Sequence, residues 1–185
     1  MDMHAKVERL LRLVEKPARY SGGELGAVIK DAAKADVRFC ICFPDVYEVG
    51  MSHLGSRILY SLINARQDSW CERAFAPWVD MEEAMRKEGV PLFSIESRTP
   101  LKAFDMLGFT LQYEMSYTNI LNMLDLSGIP LRAKDREEDM PVIAFGGPCA
   151  CNPEPLAPFA DLFMIGDGEE VTGEVLDCYA ACKRE

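Results

Sequence analysis

Residues 37–50 read VRFCICFPDVYEVG, and this stretch decides the fold class. Its first seven residues, Val37–Phe43, are mostly apolar, aromatic or β-branched, which is typical of a strand buried in a parallel sheet. A Pro–Asp pair at residues 44–45 ends the strand and begins a loop. Strand, loop and helix in this order form one unit of an α/β fold. The helix is predicted over residues 52–66, with one face formed by Leu54, Ile58, Leu62 and Ala65.

The same alternation continues toward the carboxyl terminus. Further strands are predicted at residues 71–75, 92–95, 106–111, 142–145 and 162–165. Further helices are predicted at residues 80–88, 116–126 and 169–182, and a charged, solvated loop at residues 132–139. Short strands that alternate with helices predict a Rossmann-like α/β fold, in which a parallel sheet carries helices on both faces.

A short helical arm is predicted before the first strand. The i, i+3, i+4, i+7 spacing of an amphipathic helix is shared by Val7, Leu10, Leu11 and Val14. This helix is predicted over residues 4–16, and Pro17 ends it. A second short helix is predicted over residues 25–33. We therefore divide the chain into a helical N-terminal arm, residues 1–35, and an α/β domain, residues 36–185.

Charge and composition argue against several kinds of partner. The net charge is −10; residues 1–35 carry seven Lys and Arg against five Asp and Glu, whereas the rest of the chain carries 13 against 25. Such an acidic body repels a phosphate backbone, so we expect no nucleic-acid partner. No apolar run approaches the roughly 20 residues of a membrane-spanning helix, and the charged amino terminus lacks the apolar core of a signal peptide. We therefore expect no membrane partner and a cytoplasmic location.

The seven cysteines do not follow the spacing of a metal cluster. An odd number of cysteines without an export signal predicts reduced thiols. Cys40 and Cys42 share one face of a predicted strand, where thiols pack as small apolar groups. With Cys178 and Cys182, a C-x-x-x-C-x-x-C cluster would need a third cysteine at the position of Glu185. We therefore predict no metal ligands and no iron–sulfur cluster in this chain.

The predicted topology gives the place of a ligand site. In a parallel sheet, ligands bind where the carboxyl ends of the strands lead into loops. The loops in question are residues 44–51, 76–80, 112–116, 146–154 and 166–169. Glycines and polar residues at these strand ends are the candidate cofactor-binding residues: Asp45, Tyr47, Gly50, Thr110, Gln112, Gly146, Gly147, Gly166 and Gly168.

Three of these segments resemble the signatures of cobalamin-binding Rossmann-like domains. Those domains carry D-x-H-x-x-G after the first strand, S-x-L after a middle strand and G-G after a later one. Here residues 45–50 read DVYEVG, residues 110–112 read TLQ and residues 146–147 read GG. Tyr47 therefore stands where that family places the histidine that ligates cobalt, and the second signature differs at both of its fixed positions.

A narrower resemblance covers residues 14–170. Six stretches are similar to the amino-terminal region of a radical-SAM protein family with an attached B12-binding-type domain: VEKPARY (14–20), FPDVYEVGMSHLG (43–55), FAPWVDME (75–82), LQYEMSYTNILNMLDL (111–126), FGGPCACNPEPLAPFAD (145–161) and IGDGEE (165–170). The resemblance implies cobalamin as the small-molecule cofactor of this domain. It also implies a longer parent protein, whose radical-SAM barrel holds a [4Fe–4S] cluster and S-adenosylmethionine. We expect that barrel to lie outside this chain and to be its partner, and we do not expect this chain alone to be catalytic.

The resemblance also implies how cobalamin would be held. A phenol with a pKa of about 10 is a poor cobalt ligand at neutral pH, so cobalamin would be bound base-off without a histidine ligand. His53 could be a displaced ligand, the cap of the next helix or a simply exposed side chain. Asp45 could also cap that helix or orient a ligand group. Thr110 could contact the nucleotide tail or satisfy a strand end, and the Gly146–Gly147 pair could admit the tail or only form a turn.

The sequence also bears on other ligands and other functions. The acidic residues beside Gly166 and Gly168 favour an amide or hydroxyl partner over a phosphate. The departures from the cobalamin signatures also fit a degenerate domain that has lost the cofactor and serves as a scaffold for the barrel. An ordinary nucleotide-binding or flavodoxin-like module would carry G-x-G-x-x-G or a phosphate-binding loop after the first strand, and neither is present.

Overall fold

The computed structural model describes residues 2–184, so residue 1 of the predicted arm and residue 185 of the predicted domain lie outside it. The described residues form one five-stranded sheet in the order β2-β1-β3-β4-β5, and every pair of neighbouring strands is parallel. The strands are β1 Val37–Phe43, β2 Ser69–Phe75, β3 Met106–Thr110, β4 Val142–Gly146 and β5 Leu162–Met164. The predicted Rossmann-like α/β fold is therefore confirmed. The strand order reverses between β1 and β3, because the chain adds β2 on one side of β1 and β3 to β5 on the other, and such a switch point is the usual place for a ligand crevice.

Six α-helices accompany the sheet in the described part of the chain. They are α1 Met3–Leu11, α2 Tyr47–Ser52, α3 Leu54–Ala65, α4 Val79–Glu88, α5 Tyr117–Leu126 and α6 Gly168–Arg184. Buried residues of α1, α4 and α5 belong to the core on one face of the sheet, and buried residues of α3 and α6 to the core on the other. Within residues 2–184, no helix has the length and the apolar character that crossing a membrane would require.

The N-terminal arm is only partly helical. Helix α1 ends at Leu11, five residues before the predicted end, and residues 25–33 contain no α-helix. The second prediction is wrong because distant side chains satisfy the backbone of this segment. The Val28 amide donates to the Tyr60 hydroxyl at 2.8 Å, and the Trp70 indole N–H donates to the Val28 carbonyl at 3.0 Å.

The arm nevertheless contributes to the main core. Val7 and Leu10 are fully buried in it, and Tyr20 is nearly so. The Tyr20 hydroxyl also accepts from the amide of Trp78 at 3.0 Å, directly before α4. Packing thus ties the arm to the sheet, and the division of the chain at residue 35 stays a prediction.

The segment at residues 92–95 is not a strand of the sheet. Phe93 makes an isolated antiparallel bridge to Pro100, and the segment lies along the edge of β2, where the Ile95 amide donates to the Arg73 carbonyl at 2.9 Å. Two buried carboxylates hold this cover. Glu72 of β2 accepts from the hydroxyls of Ser94 and Ser97 at 2.7 and 2.6 Å, and Glu96 forms an ion pair with Arg73 at 2.7 Å. A covered edge strand cannot pair with another chain.

Two further expectations differ from the structure. The outward face of α3 carries the apolar residues of the predicted stripe, and Leu54 is 65 % exposed, whereas Ser56 and Tyr60 are buried against the sheet.

The segment at residues 132–139 is not wholly solvated. The Arg136 side chain is buried because it donates to the carbonyl of Phe159 at 3.0 Å and to Asp161 at 2.9 Å.

Candidate functional site

A cavity of about 190 Å³ opens between α3, α6 and the sheet, at the carboxyl ends of β1, β3 and β4. Its walls are mainly apolar, with Phe39, Ile41, Leu59 and Met164 among them. Polar side chains that line it are His53, Ser56, Thr110, Gln112, Glu169 and Thr172. The cavity lies at the topological switch point between β1 and β3, where the strand order reverses and where α/β proteins bind ligands.

Small residues on one face of β3 and β4 produce this space. Gly108 pairs with Ala144, and Thr110 pairs with Gly146, so the two neighbouring strands present small side chains in register. Successive residues of a strand point to opposite faces, so the large residues at positions 107, 109, 143 and 145 pack in the other core, whereas Met106 and Val142 precede the small residues on the face of the cavity. The Phe39 ring lies against Gly108, since a Cβ there would stand 2.4 Å from the ring. The floor of the cavity therefore depends on glycine at position 108.

Six of the nine candidate residues line the cavity: Thr110, Gln112, Gly146, Gly147, Gly166 and Gly168. Gly147 has φ 107°, and a Cβ there would lie 2.9 Å from the Leu111 carbonyl oxygen, so the turn itself requires glycine. Gly146 has no such restriction, because its Cβ would make ordinary contact with Met164. Of this glycine pair, Gly146 is therefore the better probe of the cavity.

Thr110 and Gln112 act as a unit at the mouth of the cavity. The Gln112 side-chain amide donates to the Thr110 hydroxyl oxygen. A threonine hydroxyl that accepts one hydrogen bond keeps its own proton for another acceptor. The pair thus offers a hydroxyl donor, and Gln112 keeps its amide oxygen as an acceptor, for a polar ligand group.

The other three candidates do not line the cavity: Asp45 lies in the loop after β1, and Tyr47 and Gly50 lie in α2. Gly50 is buried, and a Cβ there would lie 2.3 Å from the Phe75 ring, so close packing accounts for this glycine. Tyr47 packs edge-on against the same ring, with centroids 5.6 Å apart. The Asp45 side chain accepts from the amide of Val46 at 2.7 Å and thus serves the loop itself.

The chemistry of Tyr47 differs from that of the imidazole it replaces. Burial, together with the nearby Glu24 carboxylate, raises the pKa of Tyr47 to about 12. Cobalt binds a phenolate well and a neutral phenol poorly, so a raised pKa makes this side chain a weaker ligand still at neutral pH. The first loop of this chain therefore offers no ready metal ligand at position 47.

His53 lines the cavity and was not among the candidate residues. It ends α2 and caps α3, where its Nδ1 accepts from the Ser56 amide at 3.1 Å. The cap that its position predicted is thus present. Three further residues that line the cavity were not predicted from the sequence: Gly108, Ser56 and Thr172. A signal for Gly108 was available in the sequence, because large and small residues alternate along residues 107–110 and again along residues 143–146.

Charge and metal-binding capacity of the site are limited. Within residues 2–184, no cluster of three or more His, Cys, Asp or Glu side chains could hold a metal ion. The residues lining the cavity include Glu169 and neither lysine nor arginine. Burial raises the pKa of Cys40 and of Cys71 well above the usual 9.0, so these thiols stay protonated and unreactive. The cavity is therefore suited to neutral groups with hydrogen-bonding atoms.

Comparisons with known proteins agree with this architecture. Residues 55–185 match the family described as radical SAM proteins, N-terminal. The chain is also 26 % identical over 142 residues to an uncharacterized protein of Methanocaldococcus jannaschii, a match that covers 74 % of this chain and 26 % of the relative. The chain thus spans about a quarter of the length of that curated relative. Since the family model matches most of the chain, this protein belongs to the family of radical SAM protein N-terminal regions.

Proposed function

We propose that this chain is the cobalamin-binding module of a radical-SAM enzyme and that its cavity receives the nucleotide tail of base-off cobalamin. The observation that carries the proposal is the in-register pair Thr110 with Gly146, which lines the cavity between α3 and α6. The large residues at positions 107, 109, 143 and 145 of the same two strands pack on the other face, which leaves this space open. A flat group that enters from the carboxyl edge of the sheet would use this space.

The size and lining of the cavity suit the aromatic base of the tail. A dry apolar cavity of about 150 Å³ accepts benzene in another protein. A cavity of about 190 Å³ lined by Phe39 and Ile41 therefore has room for a small aromatic ring system. Because neither lysine nor arginine lines it, a phosphodiester would stay at the mouth in water. Thr110 and Gln112, with the open backbone at Gly166 and Gly168, would contact the sugar or the amide arms.

The cobalt would then have no protein side chain on its lower face. Tyr47 is turned toward Phe75, its pKa of about 12 keeps the phenol protonated, and no imidazole stands in the first loop. The radical-SAM domain that the family implies would supply the [4Fe–4S] cluster and S-adenosylmethionine, and this chain would present cobalamin to it. A cytoplasmic location belongs to the same proposal.

Filling the cavity tests the proposal. Gly146→Val adds a branched side chain toward the cavity at a position where a Cβ meets only ordinary contacts. The matched control is Gly173→Val on α6, where a Cβ meets no atom within 4 Å. After incubation with hydroxocobalamin and desalting, we expect the wild type and the control to keep the cobalamin absorbance and Gly146→Val to lose most of it. Equal retention by all three proteins would place the cofactor elsewhere.

A second function has its own support. The first loop uses all three of its candidate residues for packing or for its own hydrogen bonds, and Tyr47 replaces the ligating imidazole, as expected of a domain that has become a scaffold. The same experiment separates the two functions. If the domain is a scaffold, the wild-type protein itself keeps no cobalamin and is colourless after desalting. In cobalamin-loaded wild type, nitrogen splitting from a protein ligand in the Co(II) paramagnetic spectrum would refute the absence of a side-chain ligand.

A further inference from the structure

His53 has two ring nitrogens with different surroundings. Nδ1 lies 3.1 Å from the backbone amide nitrogen of Ser56 and accepts its hydrogen bond; the Ser56 hydroxyl is also near, at 2.9 Å. A backbone N–H can only donate, so Nδ1 must be the unprotonated nitrogen of the neutral ring. The ring proton is therefore on Nε2, and the helix cap fixes this tautomer.

The Nε2–H group has no hydrogen-bond partner among residues 2–184, whereas the ring lines the cavity. Two neighbours pack against the ring. The centroids of the His53 and Phe43 rings are 5.2 Å apart, and Gly55 lies so close to the ring that a Cβ there would stand 3.0 Å from Cε1 of His53. The Nε2–H group is thus a positioned donor at the wall of the cavity, where it can donate to an acceptor on a ligand.

We infer that His53 is a positioning residue whose Nε2–H donates to an uncharged acceptor on the nucleotide tail, a ring nitrogen or a sugar oxygen. The inference rests on the proposed function. It also assigns His53 a role opposite to that of a displaced cobalt ligand. Ligation through Nε2 would require the proton to move to Nδ1, which already faces the Ser56 N–H and would then meet a second donor. The capping bond would be lost.

One substitution separates the cap from the donor. In His53→Asn, the short side chain keeps an oxygen that can accept from the Ser56 amide, and asparagine is a favoured N-cap. The ring N–H is removed. The matched control is His4→Asn, which changes the other imidazole of the chain, on α1. Both variants should melt within about 3 °C of the wild type.

The probes are hydroxocobalamin and cobinamide, which has the same corrin and lacks the nucleotide tail. We expect His53→Asn to lose affinity for cobalamin about threefold to tenfold, as one neutral hydrogen bond would predict, and to keep its affinity for cobinamide. His4→Asn should bind both probes as the wild type does. Nitrogen chemical shifts of the His53 ring should show a protonated Nε2 and an unprotonated Nδ1 at neutral pH.

The failures of the inference and of the proposed function are distinct. If the wild type binds cobalamin and His53→Asn binds it equally well, or if cobinamide is weakened as much as cobalamin, the inference fails alone. A ring protonated on Nδ1 overturns it too. If the wild type retains neither probe, the proposed function fails and the inference with it.

Discussion

The two faces of the sheet are filled in opposite ways. Under α4 and α5, the central strands β3 and β4 present Leu107, Phe109, Ile143 and Phe145, all buried in one continuous core. Under α3 and α6, the same strands present Gly108, Ala144, Thr110 and Gly146. On the first face large side chains fill the core, whereas on the second face a cavity of about 190 Å³ remains. The cavity therefore comes from small residues on one face of β3 and β4, and α3, α6 and the loops after the strands form its remaining walls.

The largest expected effect compares two phenylalanines on opposite faces. Phe145→Ala should lower the free energy of unfolding by about 3–5 kcal/mol, because it empties a fully packed site. Phe39→Ala should cost less, by about 1 kcal/mol or more, since the Phe39 ring borders the cavity and already lacks neighbours on that side. Urea denaturation of both variants measures the difference. Equal losses, or a larger loss for Phe39→Ala, would show that the two faces are packed alike.

An intermediate effect is expected from a single methyl group on the floor of the cavity. In Gly108→Ala, the new Cβ would stand 2.4 Å from the Phe39 ring, which has to move into the cavity. We expect a loss of about 1–3 kcal/mol in the free energy of unfolding and weaker cobalamin retention. Phe39→Leu in the same chain should recover part of both. Gly173→Ala is the control and should be neutral or slightly stabilising, since alanine favours a helix. No recovery in the double variant would contradict the assigned contact.

Much of this fold could be predicted from the sequence because the strands are short apolar runs bounded by turn residues. Val37–Phe43 has the bounds that were expected. The errors fall where distant side chains decide local structure. Residues 25–33 lack the predicted helix because Tyr60 and Trp70 bind the backbone at Val28. The sequence periodicity of α3 indicates an apolar face, but it does not show that this face lies on the outer side of the helix, away from the sheet.

The candidate site was predicted in part for a similar reason. Residues at the carboxyl ends of β3 and β4 gather at one edge in any parallel sheet, so Thr110 and Gly146 could be found from the topology alone. Gly108 lies inside β3, and its role depends on its contact with the Phe39 ring of β1, a tertiary contact that the sequence does not show. Asp45, Tyr47 and Gly50 match a motif, yet packing against Phe75 and bonds within the loop account for their contacts.

The smallest effect is expected at Tyr47, which belongs to neither face. Tyr47→Phe removes a hydroxyl whose proton is held by burial and by the nearby Glu24 carboxylate, and it keeps the ring against Phe75. At neutral pH we expect a loss of about 1 kcal/mol or less and unchanged cobalamin retention. The pKa of the folded phenol, about 12, exceeds the usual 10.0, so the folded state holds this proton more tightly than the unfolded chain. The stability that the hydroxyl contributes is therefore complete below pH 10 and declines as pH rises from about 10 to 12.

Unfolding measured across that range should show the difference between wild type and Tyr47→Phe shrinking as the pH rises. Absorbance titration of the tyrosines should show one late-titrating phenol fewer in the variant, while Tyr60, whose pKa is also about 12, remains. If Tyr47→Phe lost cobalamin while keeping its stability, the first loop would bind the cofactor directly. The contrast between the two faces of the sheet would then not suffice to define the site.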